Sequence, residues 1–532
     1  MKFLQTLVCA LALPVTVLAQ NVVTGTVVDT AGAPLAGIYV SDGHTFATTD
    51  ASGTYTLSTP LDLGYVFVST PDGYEPATRL GNRPCFWQSV STDAAVADFM
   101  LEKLSGQRPL AVIAVADPQI SNRCDDVRRL RELYVPDINR TIDSLRTAGM
   151  EPIVLTLGDQ ICDFFVARGY GYTLDRFNED FKVDAPVYHT IGNHDNDPFI
   201  EGDIPGASTW HRINGPSYYS FSRGGAHFIS IDNMVYFNKG ASDSVPGNRK
   251  YTTALTDEQL KWIAADLATI RDKAAPLFLM MHGVYYTFPV AGHPERVRLR
   301  IKDGGEKLDS LLQDFTNVKI LSGHAHNSHY QHGPDGRIRE YNYAASCGTW
   351  WPAKVQPYYP NTEMCTDGTP WGYGIWNLAD PHSPAHVYKG YGKPVSHQIR
   401  AYDLNTIHIA DTILTSAFQP GDARNRNAVL ANVWAFEPGC TVRMFEDGKE
   451  LNVEQVMAQD PLHFIRNAVP VKEQRGNVPK ALLPERTAHM FRATATTATA
   501  PVTVEFTDLS GRTFSTVLQR PVTPVVSDHH TN

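Results

Sequence analysis

Five short clusters of metal-binding side chains lie between Asp117 and His326, each at the end of an apolar run. They are AVIAVADPQ (Asp117, Gln119), PIVLTLGDQ (Asp159), PVYHTIGNHD (Asn193, His194), PLFLMMHG (His282) and VKILSGHAH (His324, His326). Carboxylate, imidazole and amide oxygen are the donors that two divalent cations about 3.5 to 4 Å apart require, with one carboxylate bridging them. Asp159 suits the bridge. In His324-Ala325-His326 an extended chain would turn both imidazoles to one side, toward two adjacent ions. A single buried His or Asp is more often a hydrogen-bonded structural residue than a ligand. Five clusters, each ending an apolar run, outweigh that reading.

Each run has the length of a strand and is bounded by Gly or Pro, which reads as strands buried on both faces of a sheet. The polar residues then fall at strand ends. In open α/β sheets the crevice beyond the carboxyl ends of the strands receives ligands, so clusters distant in sequence can converge there. Gly158, Gly192 and Gly323 precede Asp159, Asn193 and His324, where a missing Cβ lets the backbone approach bound ions. Residues 124–148 carry an apolar stripe at helical spacing interrupted at Pro136. Residues 255–270 carry another, with Thr256 as N-cap and Gln259 three residues on. AHFISIDN reads as a further strand.

The order DxQ, GD, GNHD, H, GHAH resembles the calcineurin-like metallophosphoesterases, over about residues 108–350. The resemblance implies an α/β (α+β) four-layer sandwich, two mixed sheets flanked by helices. It implies a first metal bound by Asp117, Gln119, Asp159 and His326, and a second by Asp159, Asn193, His282 and His324. His194 would be the catalytic histidine, contacting the phosphate and protonating the leaving oxygen, with Asn193 also facing the substrate. Asp195 would hold the His194 ring by its other nitrogen. The commonest first motif is Asp-x-His, and Gln119 stands in place of that histidine. An amide oxygen makes the first site harder, which favours Mn²⁺ or another oxygen-loving ion over Zn²⁺, and the metal stays open among Mn, Fe and Zn.

Residues 1–19 read as a secretory signal peptide: Lys2, an apolar stretch, then small residues before Gln20. That stretch is short for a membrane span and no later one would cross a bilayer, so an exported protein, periplasmic or extracellular, is expected. Residues 20–105 alternate and turn like a small β-sandwich, and TDASGTYTL resembles the carboxypeptidase-regulatory modules. Asp29, Asp42 and Asp50 there read as turn formers rather than calcium ligands. The catalytic region spans 106–385, and 386–532 returns to alternation with Asp-Gly and Ser-Gly turns, a second β-sandwich. The three parts together resemble exported bacterial members of the family.

A formal charge of −10 without a basic run argues against a nucleic-acid partner. In an oxidising compartment Cys124 can pair with Cys162 and Cys347 with Cys365, and unpaired buried thiols read equally well. Residues 341–373 are rich in aromatics: Tyr341, Tyr343, Trp350, Trp351, Tyr358, Tyr359, Trp371 and Tyr373. They either stack on a substrate or pack against the third domain. CTDGTPWGYG within this stretch reads as a shaped loop.

The expected chemistry is hydrolysis of a phosphate ester by water activated at two divalent cations. A monoester dianion calls for extra cationic contacts, and Arg123 is the one nominee beside the motifs, so a diester is favoured. A phosphatase or nucleotidase with the same site is the alternative. A nucleotide, glycerophosphodiester, phospholipid headgroup or phosphoglycan would each fit an exported enzyme. A third reading, an inactive surface scaffold binding glycan or protein, is opposed by a competent residue at every motif position.

Overall fold

A computed structural model of the chain describes residues 21–106, 108–122, 125–162, 171–346, 364–407, 425–465 and 483–522. Arg123, the segment 1–19, Cys124, Cys347, Trp350, Trp351, Tyr358 and Tyr359 lie outside the described residues. All five apolar runs are strands: Leu110–Val115, Glu151–Leu157, Val187–Thr190, Leu277–Met281 and Val318–Ser322. Nearly every residue in them is buried, as strands covered on both faces must be.

These strands belong to two sheets. The first has the order Val187–Thr190, Glu151–Leu157, Leu110–Val115, Gly372–Leu378, Ala385–Gly390; its first three strands run parallel and its last two antiparallel. The second has the order Tyr219–Arg223, Ala226–Ile231, Leu277–Met281, Val318–Ser322, Ile338–Asn342, His329–His332. The edge strand Ala385–Gly390 begins where the sequence suggested that the central domain ends, and it keeps the sheet going to Gly390. A ladder of rings fastens the sheets together. Phe221, Phe228 and Phe278 stack with centroids 4.8 and 5.0 Å apart, and Phe278 meets Trp376 of the other sheet edge-on at 5.3 Å.

The helices fall where the apolar stripes put them. Val135–Thr147 has Pro136 at its start, where a missing N–H costs nothing, so the proline opens this helix after a π-turn at Leu130–Tyr134. Asp257–Thr269 is capped by Thr256, whose side chain accepts from Gln259 N–H at 3.2 Å. The Gln259 side chain does not close a capping box. It turns to Asp232, donating to its carbonyl at 2.7 Å and accepting its N–H at 3.0 Å.

Two β-sandwiches flank the centre. The first pairs a sheet ordered Thr54–Thr59, Asn21–Asp29, Phe99–Lys103, Tyr74–Pro76 with one ordered Phe46–Thr48, Tyr39–Ser41, Tyr65–Ser69, Trp87–Ser89. Asp29, Asp42 and Asp50 each accept two nearby backbone N–H groups at 2.8–3.0 Å, the turn-forming role expected of them. The second sandwich is built from Arg400–Asp403, Ala428–Asn432, Thr487–Thr494 and Val453–Ala458 over Lys449–Glu450, Thr441–Glu446, Val502–Thr507 and Thr513–Leu518. Of the aromatic stretch, Tyr341, Tyr343, Trp371 and Tyr373 are all buried, which makes them packing groups rather than a stacking platform. No helix among the described residues is long and apolar enough to cross a membrane.

Candidate functional site

Both sheets contribute to one pocket. Asp117, Asp159 and Asn193 follow the three parallel strands of the first sheet, and His282, His324 and His326 follow two parallel strands of the second. Their side-chain atoms form two groups, Asp159 with His282 and His324, and Asp117 with Asp159 and His326, so Asp159 is shared. His282 Nε2 lies 3.1 Å from Asp159 Oδ2 and 3.9 Å from Asp117 Oδ1, and His326 Nε2 lies 3.4 Å from Asp117 Oδ1. His324 Nδ1 is 3.2 Å from His282 Nε2.

The backbone is bent sharply to make this possible. Asp117, Gln119, Asp159, His324 and His326 all have positive φ, between 40° and 66°. A non-glycine residue held there costs on the order of 1 kcal/mol, and it persists only when its neighbours over-determine it. Three glycines make room for side chains of the site, and a Cβ at Gly158 would come within 2.4 Å of His282 Nδ1. A Cβ at Gly192 would come within 2.2 Å of Asp159 Oδ1, and one at Gly323 within 2.5 Å of Asp117 Oδ2. The expectation was room for ions; the space is filled by the His282 ring and the two carboxylates themselves.

Hydrogen bonds fix the donor atoms. His282 Nδ1 faces the Leu157 carbonyl at 2.8 Å, and a carbonyl only accepts, so Nδ1 carries the proton and Nε2 is the atom offered to the pocket. His324 N–H donates to Asp117 Oδ2 and His194 N–H to Asp159 Oδ1, both at 2.8 Å. Tyr251 Oη lies 3.3 Å from His324 Nε2, leaving Nδ1 free to face His282. Sequence reading missed Tyr251, which sits on a short strand with no motif around it.

The electrostatics are those of a pocket that wants positive charge. Burial opposes a charge on His282, but the Asp159 and Asp117 carboxylates outweigh it and lift its pKa to about 10. Burial also opposes ionised Asp159, yet the His282 and His194 imidazoles hold it below the usual carboxylate range. His324 is pushed well below an ordinary histidine by burial and by His282. Three oxygens in the pocket, Asp117 Oδ1, Gln119 Oε1 and Asn193 Oδ1, are buried without a hydrogen-bond partner. A cation is a partner that would satisfy all three. Gln119 meanwhile donates from Nε2 to Asp159 Oδ2 at 2.8 Å. The donor set therefore fits two neighbouring divalent cations joined by Asp159.

His194 is more open than the buried ligands, its side chain 17 % exposed against 1 % for Asp159, with Nε2 4.0 Å from Asp159 Oδ2. Its Nδ1 is hydrogen-bonded to the Cys162 carbonyl, not to Asp195. The expected Asp195–His194 contact is thus replaced. Asp195 is fully buried and accepts backbone N–H groups from Gln160 (2.9 Å), Ile161 (3.3 Å) and Gly192 (2.9 Å), so it pins the Asp159 loop to the Asn193 loop. Burial and the charge of Asp159 lift its pKa to about 8. His189 is a core residue, hydrogen-bonded to Thr156 Oγ1 at 2.7 Å, with burial lowering its pKa to about 3.

Sequence models of one family match the chain in three consecutive parts. The N terminal of calcineurin-like phosphoesterase matches residues 21–104, calcineurin-like phosphoesterase 110–328, and the C terminal of calcineurin-like phosphoesterase 340–514. Purple acid phosphatase 15 of Arabidopsis thaliana is 24% identical over 160 residues, 28% of this chain and 26% of its own length. Purple acid phosphatase 13 of the same plant is 24% identical over 140 residues, 24% of this chain and 23% of its own. The chain thus spans about a quarter of the length of these relatives. Among solved structures, the Termus thermophilus sulfate thiohydrolase SoxB in complex with glycerol aligns with a TM-score of 0.30 and 11% identity, over 54% of this chain and 58% of that one.

Proposed function

Since the chain belongs to the calcineurin-like phosphoesterases, we propose that it hydrolyses a phosphate ester, a diester in preference to a monoester, with two divalent cations held in the pocket. The observation that carries this reading is the pair of ligand groups sharing Asp159, with the orphan oxygens of Asp117, Gln119 and Asn193 beside them. Bound there, the cations supply a water of lowered pKa and neutralise phosphate oxygens. Asp159 would be shared by both cations; Asp117, Gln119 and His326 would hold one, and Asn193, His282 and His324 the other. The oxygen-rich first side favours Mn²⁺ or Fe²⁺ over Zn²⁺.

His194 is the residue placed to handle a proton. Its Nδ1 donates to the Cys162 carbonyl, so Nε2, the atom facing the pocket, is the nitrogen that gains and loses a proton, and from the imidazolium form it can pass that proton to the departing ester oxygen. The gathered side chains are carboxylates, amides and imidazoles, which suits the single charge of a diester better than a dianion. A monoesterase is the second reading, favoured by the names of the purple acid phosphatases that the chain resembles. The leader-like segment 1–19 supports an exported enzyme. Its substrate would then be a nucleotide, glycerophosphodiester, phospholipid headgroup or phosphoglycan.

The test is the rate on bis-p-nitrophenyl phosphate against p-nitrophenyl phosphate with Mn²⁺, alongside Asp159→Asn. Faster diester cleavage, reduced about 10³-fold or more with loss of both cations in the variant, is the expected result. Faster monoester cleavage would make it a phosphatase. No turnover of either ester with Mn²⁺, Fe²⁺ or Zn²⁺ would move the chain to the binding-scaffold reading. His194→Ala is expected to keep both cations and lose about 10²- to 10⁴-fold on an alkyl ester. On an aryl ester, whose leaving group needs little protonation, it should lose less.

A further inference from the structure

The loop bearing His324 and His326 runs on into Asn327 and Ser328, and both are buried, at 1 % and 0 % exposure. Between them their side chains reach the Thr366–Asp367 turn and, at Trp434 and Glu485, the carboxy-terminal region. Ser328 N–H donates to Asp367 Oδ2 at 2.8 Å, and Ser328 Oγ donates to the Trp434 carbonyl at 2.7 Å. Asn327 Oδ1 accepts from Asp367 N–H at 3.2 Å and from Thr366 Oγ1 at 2.9 Å, while its Nδ2 donates to Glu485 Oε2 at 2.9 Å. Asp367 is itself immobilised, with Thr369 donating to both of its oxygens and His489 Nε2 3.0 Å from Oδ2.

We propose that Asp367 is a positioning residue for the cation site, acting through Asn327 and Ser328 to hold His326 where a cation can use it. The backbone of His324 and His326 is left-handed at both residues, with φ of 66° and 63°. Such a conformation reverts unless its surroundings impose it. Upstream, His324 is held by Asp117 through its N–H and flanked by Tyr251 at its ring. Downstream, the anchors next to His326 are the Asn327 side chain, which accepts the Asp367 N–H, and the Ser328 backbone N–H, which donates to the Asp367 carboxylate, so Asp367 is the partner common to both. The Asp367 turn, braced by His489 of the carboxy-terminal sandwich, therefore helps complete the site.

The effect should be selective. His326 belongs to the group with Asp117 and Asp159, whereas the other group is built on His282, whose ring is fixed by the Leu157 carbonyl far from Asp367 in sequence. Loosening His326 should weaken one cation far more than its neighbour.

This inference rests on the two-cation reading, and the experiment separates the two. Mn²⁺ is titrated into the full chain and into Asp367→Asn and Asn327→Ala, with uptake followed by calorimetry and the coupled-pair signal by electron paramagnetic resonance. The wild type is expected to take up two ions with a coupled signal. Both variants, still folded by circular dichroism, should bind one ion about 10- to 100-fold more weakly and lose the coupled signal, with kcat falling more than KM rises. Glu485→Gln, which changes a single bond to Asn327, should show the same pattern more mildly. Folded variants that bind both ions as the wild type does would overturn the positioning role and leave the two-cation reading intact. Should Asp367→Asn fail to fold, a folded Asn327→Ala with unaltered ion uptake overturns it equally. A wild type that takes up no pair of ions would overturn both.

Discussion

The amino-terminal sandwich meets the central domain through aromatic rings and a strand edge, with polar contacts from Asp72, Glu75, Asn82 and Arg83 around them, whereas the carboxy-terminal sandwich sets carboxylates, amides and a histidine beside the cation loop. On the first side Trp262 is fully buried against Phe46 at 5.6 Å, Phe67 at 6.0 Å and Tyr218 at 5.3 Å. Thr70 extends the strand Tyr65–Ser69 to bridge Phe221 on the edge of the central sheet, accepting Ser222 N–H at 2.8 Å. The apolar cores of these two domains are continuous, while most of the carboxy-terminal sandwich packs around two separate cores. Apolar contact is non-directional and tolerates small shifts; a hydrogen-bond network in which each donor has its acceptor fixes a register. Beside the cation loop it is such a network, built on Asp367, that makes the junction.

That contrast can be broken, and the largest expected effect is on the apolar side. Trp262→Ala should cost about 3–5 kcal/mol of stability by denaturant unfolding, while Mn²⁺ uptake per folded molecule stays at the wild-type value. Loss of cation affinity there would mean that the first sandwich also shapes the site. On the polar side, Asn432 donates to the Asp367 carbonyl and to Asp460 Oδ2, and its Oδ1 meets His489 Nδ1 at 2.8 Å. Asn432→Ala should cost about 1–3 kcal/mol and, unlike Trp262→Ala, weaken Mn²⁺ binding.

Acid should sharpen the contrast further. Burial alone would raise the pKa of Asp367, but the hydrogen bond and charge of His489 outweigh it and leave it below a free carboxyl. A depressed folded pKa contributes stability that is present above the unfolded value of about 4 and is lost as the pH falls through the folded one. Hydrogen exchange at acid pH should therefore show residues 324–328 loosening before the strand Tyr65–Ser69. The smallest effect is expected from Glu75→Gln, which weakens the 2.9 Å pair with Arg223 across the first junction. About 1 kcal/mol of stability should go, with turnover unchanged.

Much of the centre was legible before any coordinates, because a strand buried on both faces leaves an unbroken apolar run and the chemistry must wait for its end. Asp117, Asp159 and His282 are where that logic puts them, and Thr256 caps its helix as its neighbours suggested. What escaped was decided by contacts across the fold. Asp195 was assigned to the His194 ring by motif, yet its carboxylate is taken by three backbone N–H groups, and a carbonyl at Cys162 serves the ring instead. Backbone carbonyls have no signature in a sequence. Asp367 sits in the CTDGT turn, which read as a shaped loop, but its partner Ser328 is 39 residues earlier and nothing local announces the pairing. Gly372–Leu378 turns back to lie antiparallel to Leu110–Val115, a return that alternation alone does not reveal.

The left-handed residues of the pocket have an evolutionary corollary. Asp117, Gln119, Asp159, His324 and His326 are five of the twelve non-glycine residues with positive φ among the described residues, a concentration of local discomfort in the one place where chemistry is to be done. Glycine would sit at each of them at ease. A descendant relieved of catalysis would gain from glycine at these very positions, so the first marks of lost function in this lineage should be a more heat-resistant protein and a motif worn down to its glycines.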